Sequence, residues 1–486
     1  MQSVDLSAPL SAEDAEVTAP AAHLGLWDAV SLIFGIVIGA GIYETAPLVL
    51  ANTSSPAQAI LVWTLGGVLS LIGATCYAEL ATTYPRAGGD YVYLTRAFGR
   101  IFGFLFGWAQ LAVILTGSIG MMAFVFADYA AALWSGAAGT AALLACGAVG
   151  VLTLLNLLGL IFGKTTQNVL SWLKLLGLAL LIGTGLLADT EPAAVTATPE
   201  AGTGSLGLAM ILVLYTYGGW NDAAFVAAEV RDGKRNIARA LLLGTLAITL
   251  VYVLVNLAFI HALGFAGAQS SKAIAADVLQ VAFGVSGGKL MALLVMISAL
   301  GAVNGLILTG SRVYASLGAD HGLFARLSRW HPRWRTPVWA LLAQLLVTSF
   351  MIVAVGTQPG RAAIDGLLTS LGAAKAEWSG HGGFDTLLRC TAPVFWLFFL
   401  LTGISLFVLR MRDPARERPF RVPLYPLFPL IFCGMCSYML YSAVDYAGAL
   451  SLLGAGLLLL GVPLYFISQR RPRVRADASP NEESAK

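Results

Sequence analysis

The sequence predicts an all-α integral membrane protein with twelve transmembrane helices. Hydrophobic residues make up 58% of the 486 residues and charged residues only 11%, which is too apolar for a soluble protein. The mean hydropathy is +0.78, and twelve apolar runs are each long enough for the roughly 20 residues that cross a bilayer. The net charge is only +3, so the expected surroundings are lipid, and nucleic acid is not an expected partner.

These runs define a membrane domain at 26–470, between a polar tail at 1–25 and a second tail at 471–486. The first tail is acidic and lacks the basic start of a signal peptide. An external segment, 357–389, contains a short helical pattern in "GRAAIDGLLTSLGAA" and is given no function. The predicted spans are 27–50, 57–83, 100–132, 138–160, 166–188, 205–228, 238–264, 288–315, 337–356, 391–410, 423–445 and 448–468.

The basic residues indicate the orientation of the chain. If both termini lie in the cytoplasm, 23 of the 29 Lys and Arg residues fall on the cytoplasmic side. Cytoplasmic loops of membrane proteins carry such an excess. The sequence therefore predicts a multi-pass protein of the cell membrane with two cytoplasmic termini.

Glycines interrupt two of the spans at corresponding positions. Span one contains "GIVIGAGIYETAP", and span six, five spans later, contains "YTYGGWND". Broken helices in matching positions are typical of transporters built from inverted repeats. The sequence therefore predicts a five-plus-five inverted repeat, with repeat one at about 26–188, repeat two at about 205–410 and two added helices at about 423–468.

The interruptions expose backbone groups that suit a zwitterion. Backbone freed in a membrane is tolerated where it lines a cavity. The N–H groups of Ala40 and Gly41 begin a helix and favour a carboxylate. The carbonyls of Val37, Tyr215 and Thr216 favour an ammonium. A free α-amino acid carries both groups, although glycines in membrane helices also serve close packing.

Several longer motifs resemble one family. They read "GIVIGAGIY", "YAELATTYPRAGGDYVYL", "QNVLSWLKLLGL", "YTYGGWNDAAFVAAEVRDGKRNI", "GAVNGLILTGSRVYASLGADHGL" and "RERPFRVPLYP". They look like the amino acid–polyamine–organocation (APC) superfamily, closest to its L-type amino acid transporters and their bacterial relatives. The resemblance covers about 26–430 and implies amino acid transport by alternating access.

The resemblance also implies where the substrate binds. The substrate carboxylate would contact Ala40 and Gly41, with Gly39 beside them. The substrate ammonium would contact the backbone at Val37, Tyr215, Thr216 and Gly218. This chain departs from the family pattern in having Ala40 in place of a serine, Tyr43 in place of a phenylalanine and Ala238 in place of a proline. Tyr43, Tyr215 and Trp220 are candidates for the side-chain pocket, and ordinary aromatic packing is the alternative.

Lys174 lies within span five, where a charged residue costs about 2.5–3.5 kcal/mol on insertion scales. The alternative is a lysine that extends to the cytoplasmic surface. The resemblance places Lys174 beside the first interruption, where sodium-coupled relatives hold a cation. In span eight, Ala302 offers no side-chain oxygen, and Ser298 and Asn304 are the nearest polar residues. We therefore expect sodium independence and proton coupling through Lys174, with Lys174 as a fixed brace in an exchanger as the runner-up.

Other acidic residues are open to more than one interpretation. Glu44 follows Tyr43 and could select cationic substrates, accept a proton or lie in a wet external vestibule. Asp222 is a candidate selectivity or proton site that could equally pair locally or face the cytoplasmic path. Glu79 and Glu229 lie near cytoplasmic ends, and we expect them to pair with nearby arginines. Those arginines are Arg86, Arg96 and Arg231.

The expected function is a secondary active transporter of amino acids. The alternatives are an exchanger without proton coupling and a membrane sensor that binds an amino acid without moving it. No catalytic constellation, metal-ligand spacing or phosphate loop stands out, so an enzyme, a metal site and a cofactor are not expected. None of the five cysteines is an evident link to another chain, so an accessory subunit is not expected either.

Overall fold

The computed structural model describes residues 23–39, 41–134, 140–188, 205–271, 273–370, 372–376, 378 and 382–469. These residues are helical apart from their connections, and the one extended pairing among them is a parallel bridge between Leu24 and Val230. The α-helices are α1 Leu26–Val37, α2 Gly41–Ala51, α3 Pro56–Thr83, α4 Asp90–Phe98, α5 Arg100–Ala109, α6 Leu115–Leu133, α7 Ala141–Leu157, α8 Leu160–Leu187, α9 Leu206–Thr216, α10 Gly233–Ser270, α11 Ile274–Phe283, α12 Ser286–Asp320, α13 Val338–Gly356, α14 Gln358–Ser370, α15 Gly383–Arg412, α16 Leu427–Ala447 and α17 Ser451–Gln469.

Eight helical segments of the described chain are long and apolar enough to cross a membrane. The pair α1 and α2 makes a ninth when the two are taken as one span with a bend of 54°. Two more apolar helices, α7 and α11, are shorter. The all-helical membrane class predicted from composition is thus confirmed.

The outer faces of the helices suit contact with lipid. Large apolar side chains are exposed there, among them Leu143 at 74%, Ile161 at 77% and Phe350 at 71% of their full surface. A soluble monomer rarely leaves so much apolar surface in water. Buried polar residues such as Asn304 and Gln167 lie instead between helices. The chain is therefore apolar outside and locally polar inside, as membrane helix bundles are.

Both predicted interruptions are present. The first separates α1 from α2 between Val37 and Gly41. In the second, α9 ends at Thr216, and a 3₁₀-helix, Trp220–Glu229, follows it. Gly219 joins them with a φ of +106°, a conformation that side chains other than glycine rarely adopt.

Three local features were not predicted. A π-helical turn, Gln110–Ile114, lies between α5 and α6 in the third span, and α4 and α11 are short helices outside the predicted spans. Apolar runs of membrane length carry no signal for short helices or for a turn inside a continuous run. The helix predicted in the external segment is present as α14.

Candidate functional site

A cavity lies where the two interruptions meet. The space open to the centres of water molecules is about 140 Å³, roughly ten times what one water needs. Backbone and side chains from several helices surround it. The lining residues are Ile36, Val37, Gly39, Gly41, Gln110, Ile114, Leu115, Ser118, Met121, Met122, Tyr215, Thr216, Gly218, Gly219, Asp222, Leu306, Phe384, Leu388, Thr391, Ala392, Phe395 and Trp396.

Two antiparallel helices, α6 and α15, run along the cavity and allow its two ends to be distinguished. Gly120 of α6 packs against Leu387 of α15, and Gly117 packs against Thr391 one turn further along α15. The π-helical turn continues α6 towards its start, so Gln110 lies at the end of the cavity near Phe395. Met122 lies at the opposite end, near Phe384. We call these the Gln110 end and the Phe384 end.

The N-terminus of α2, just after the first interruption, packs directly against the second interruption. Because α2 begins at Gly41, the N–H groups of its first turn have no acceptor within the helix. A Cβ atom on Gly41 would lie 3.3 Å from Cγ2 of Thr216, so glycine permits this close approach. The hydroxyls of Thr45 and Thr216 share a hydrogen bond of 2.8 Å that ties the two interruptions together. A helix N-terminus that lines a cavity is a ready anion site.

Tyr252 of α10 also joins the two interruptions. Its hydroxyl lies 2.9 Å from the carbonyl oxygen of Val37 and 3.3 Å from that of Thr216. The Val37 oxygen additionally accepts the N–H of Gly39 at 2.8 Å. A carbonyl oxygen has two lone pairs, so Val37 has none left for an ammonium in this arrangement. The sequence interpretation missed Tyr252, although a tyrosine in the middle of span seven was visible.

Lys174 reaches the first interruption from α8. Its ammonium donates a hydrogen bond of 2.8 Å to the carbonyl oxygen of Gly35, and the side chain is 2% exposed. From α12, the hydroxyl of Ser298 donates to the carbonyl oxygen of Ile38 at 2.8 Å. Two side chains from different helices therefore hold carbonyls on either side of Val37, where α1 ends.

A polar stripe on α8 continues this contact along α1. The hydroxyl of Ser171 donates to the carbonyl oxygen of Ser31 at 2.9 Å. One turn further, Asn168 and Lys164 both contact the carboxylate of Asp28, at 2.9 and 2.6 Å. The stripe recurs every three or four residues, the spacing of one helix face. The helix α1 is thus held to α8 along its length by polar contacts that end at Lys174.

The predicted site residues divide into two groups. Seven of them line the cavity, and four others are not part of its lining. The seven are Val37, Gly39, Gly41, Tyr215, Thr216, Gly218 and Asp222. The four are Tyr43, Glu44, Lys174 and Trp220. Ala40 lies outside the described residues.

The side chains outside the lining have other surroundings. Trp220 is 2% exposed and packs against Tyr77 and Phe399, with ring centroids 5.2 and 5.5 Å apart, because the turn at Gly219 directs it away from the cavity. Tyr43 is buried among neighbouring helices. Glu44 is exposed in the first turn of α2, where an acidic side chain interacts favourably with the helix dipole.

Two buried ion pairs lie on the predicted cytoplasmic side. Glu229 pairs with Arg312 through bonds of 2.7 and 3.1 Å. Glu79 pairs with Arg410 at 2.7 and 2.5 Å and also lies 3.5 Å from Arg418. The partners in these bonds are arginines distant in sequence, and the expectation of pairing with sequence neighbours was wrong for them. Tertiary packing decides such partners, and local spacing does not reveal them.

On the same side, the residues just before α1 are hydrogen-bonded to the chain that follows the second interruption. The N–H groups of His23 and Leu24 donate to the carbonyl oxygen of Glu229 at 3.0 and 2.9 Å. The N–H of Arg231 donates back to the carbonyl oxygen of Leu24 at 2.8 Å. The segments that flank the first and second broken helices are therefore joined to each other.

The chain resembles known proteins over almost its whole length. It is 27% identical to the serine/threonine exchanger SteT of Bacillus subtilis (strain 168) over 458 residues, which is 92% of this chain and 97% of that protein. It is 29% identical to the large neutral amino acids transporter small subunit 2 of Mus musculus over 467 residues, or 93% and 82% of the two chains. The identity to the Asc-type amino acid transporter 1 of Homo sapiens is 28% over 461 residues, or 92% and 82%.

The family model described as amino acid permease matches residues 24–453, which include both interruptions and every residue of the cavity. The APC resemblance seen in the motifs is confirmed. The chain belongs to the amino acid permease family.

Proposed function

We propose that this protein is a sodium-independent secondary transporter that binds a free α-amino acid between its two interrupted helices. The observation that carries the proposal is that both interruptions line one cavity. Freed backbone at membrane depth needs a ligand or a cavity to satisfy it, and family membership supports an amino acid as that ligand.

The proposed architecture is a five-plus-five inverted repeat of twelve spans. In this assignment α1 with α2 forms span one, and α9 with the 3₁₀-helix forms span six. Repeat one covers about 26–188, repeat two about 205–410, and two added helices about 423–468. The match of interruptions five spans apart supports the repeat. The basic loops support cytoplasmic termini in the cell membrane.

The proposed binding mode places the substrate carboxylate at the N-terminus of α2, against Gly41 and the neighbouring Ala40. The ammonium lies at the carbonyls of Tyr215 and Thr216. The Tyr215 oxygen already accepts the N–H groups of Tyr217 and Gly218, so the ammonium replaces one of these donors. The ammonium reaches the oxygen of Val37 only when Tyr252 releases that oxygen, because both lone pairs are already engaged. The substrate ammonium and the Tyr252 hydroxyl therefore compete for the carbonyl oxygen of Val37.

The proposed coupling ion is the proton, carried by Lys174. A protonated Lys174 holds the Gly35 carbonyl, and a neutral one loses the charge-assisted part of this bond. The carbonyls of Gly35 and Ile38 already have protein donors, and Ala302 supplies no oxygen, which supports sodium independence.

A second candidate is exchange without proton coupling, with Lys174 as a permanent brace. The similarity to a serine/threonine exchanger favours it. A sensor that binds without transport is the candidate of another class. The chain is proposed to work without an accessory subunit, although one of its relatives is named a small subunit.

Counterflow tests the proposal. The purified chain alone is reconstituted into liposomes loaded with an unlabelled amino acid, and entry of the same labelled amino acid is followed. Entry above that in empty liposomes, unchanged when choline replaces sodium, is the expected result. Binding without entry would favour the sensor, and entry that requires sodium would contradict the assignment of Lys174.

A further inference from the structure

Asp222 is a buried carboxylate near the Gln110 end of the cavity, since Phe225, three residues later, packs against Phe106, four residues before Gln110, with ring centroids 6.2 Å apart. Asp222 is 6% exposed and lines the cavity. Its Oδ1 atom accepts a hydrogen bond of 3.0 Å from the side-chain amide of Asn221. Among the residues that the structure describes, no ion pair joins Asp222 to a lysine, arginine or histidine. An ionised carboxylate in such surroundings is costly unless donors satisfy it.

A second acceptor near this end has no hydrogen-bond partner among the described residues. Gln110 is 4% exposed, lines the same cavity and has no hydrogen-bond partner for its Oε1 atom within the described chain. It belongs to the π-helical turn, which changes the faces that the third span presents. Buried polar atoms in proteins are nearly always hydrogen-bonded. The π-helical turn and the 3₁₀-helix therefore each place a buried acceptor beside the same end of the cavity.

Among the described residues that line the cavity, there is no lysine, arginine or histidine that could pair with Asp222. The Phe384 end is apolar, with Met121, Met122, Phe384 and Leu388. Asp90 is a second buried carboxylate near Asp222, because Gly89 before it packs against Ala224 and Phe225. The hydroxyl of Tyr77 donates to Oδ2 of Asp90 at 3.0 Å, and Oδ1 of Asp90 has no hydrogen-bond partner within the described chain.

The distance from the second interruption to Asp222 suits a short side chain. Asp222 follows Gly219 by three residues, and its N–H bonds the Gly219 carbonyl at 3.2 Å. Three residues of 3₁₀-helix rise about 6 Å. A substrate whose ammonium and carboxylate lie at the interruptions thus reaches Asp222 with three or so methylene groups.

We infer that Asp222 and Gln110 form a side-chain subsite for amino acids whose side chain ends in a hydrogen-bond donor, above all a primary ammonium group. Such a donor supplies Asp222 with a counter-charge and Gln110 with a hydrogen bond. The subsite rests on the proposed function, since it assumes that the substrate's zwitterionic part lies at the interruptions.

Ornithine and norvaline test the subsite, because they share a carbon chain and differ in one terminal ammonium. Each competes with a labelled neutral amino acid in counterflow with the purified chain. We expect the wild type to favour ornithine. Asp222→Asn should raise the half-maximal concentration of ornithine about 10- to 100-fold and leave that of norvaline within about threefold. Gln110→Leu should weaken ornithine by about 2- to 10-fold.

Two further variants make the test specific. Asp445→Asn removes the same charge from an exposed position on α16 that does not line the cavity, and should leave the preference intact. Asp222→Glu keeps the charge on a longer side chain and should shift the preference from ornithine to the shorter 2,4-diaminobutyrate. If Asp222→Asn does not fold, the change in preference in Asp222→Glu still tests the subsite.

The outcomes separate the subsite from the proposed function. If neither probe nor any neutral amino acid competes while the protein remains folded, the proposed function fails. If norvaline competes as well as ornithine in the wild type, or if Asp222→Asn weakens both alike, the subsite is wrong and the transporter stands.

Discussion

The ammonium of Lys174 donates a 2.8 Å hydrogen bond to the carbonyl oxygen of Gly35, two residues before α1 ends at Val37. This bond is the last of a series of polar contacts between α8 and α1. The ammonium on α8 is thereby connected to the backbone of the first interruption. In the transport cycle that we propose, protonation of Lys174 biases the two access states by no more than the difference between its interaction energies with them.

Replacing Lys174 tests the coupling. Lys174→Ala should lose either uptake or its response to an inward proton gradient, while exchange of internal for external amino acid survives. Lys234→Ala, which removes a charge from an exposed pair with Glu417, is the matched control and should change neither. The measurement is uptake into liposomes at several imposed pH gradients. An unaltered pH profile in Lys174→Ala would leave the proton proposal without support.

Tyr252→Phe tests the tie between the interruptions. The variant loses one hydroxyl that contacts both Val37 and Thr216, and we expect transport to fall about 2- to 10-fold. Binding affinity should change less, because Val37 gains a free lone pair for the ammonium.

The control for this variant is Tyr217→Phe. The Tyr217 hydroxyl donates to the carbonyl of Trp63 at 3.1 Å, and its ring packs 5.0 Å from that of Tyr252. Transport rate and affinity are measured on both variants. Equal losses in the two would mean that the aromatic cluster matters and the tie does not.

Gly41→Val tests the carboxylate end of the site. The Cβ atom of valine would already lie 3.3 Å from Cγ2 of Thr216, and its methyl groups would cover the N-terminus of α2, so substrate binding should be lost. Gly434→Val is the control, because a Cβ atom there meets nothing within 4 Å. Binding is read from stabilisation by substrate, which is about 2.7 kcal/mol at 100 times the dissociation constant. Wild-type stabilisation of Gly41→Val would place the carboxylate elsewhere.

Gly219 is less suitable for this purpose. Its φ is positive, and a Cβ atom added there would lie 2.7 Å from Cγ2 of Ile36, so a substitution strains the backbone itself. Loss of function there would not separate binding from folding.

Glu44→Gln should leave selectivity unchanged. Glu44 does not line the cavity, so we expect no direct contact between its carboxylate and a bound substrate. Competition by ornithine and norvaline should stay within about twofold of the wild type, a change too small for a direct charged contact. A selective loss of ornithine would assign to Glu44 the role that we give to Asp222.

The sequence predicted where the broken helices end, but it did not predict which way the side chains beside the interruptions point. The apolar runs and glycines predicted where α1 and α9 end, because hydrophobic length and backbone freedom are local properties. Which way a side chain points after an interruption is not local. Trp220 follows Gly219 directly, yet the left-handed turn sends its ring towards Tyr77.

The sequence also did not predict which residues the buried polar groups would contact. Tyr252 and Gln110 stand in apolar runs where nothing nearby in the sequence marks them. The role of Tyr252 depends on a contact with Val37, 215 residues away in the sequence. Arg312 and Glu229, 83 residues apart, are matched for the same reason.

The most direct test of the central claim is competition by a substrate whose carboxylate has been made a neutral amide. The claim is that the start of α2 binds the carboxylate through its N–H groups and the helix dipole. In counterflow, the amide of a competing amino acid should fail to inhibit at concentrations about 10- to 100-fold above those at which the acid inhibits. Inhibition by the amide equal to that by the acid would contradict the account of the site.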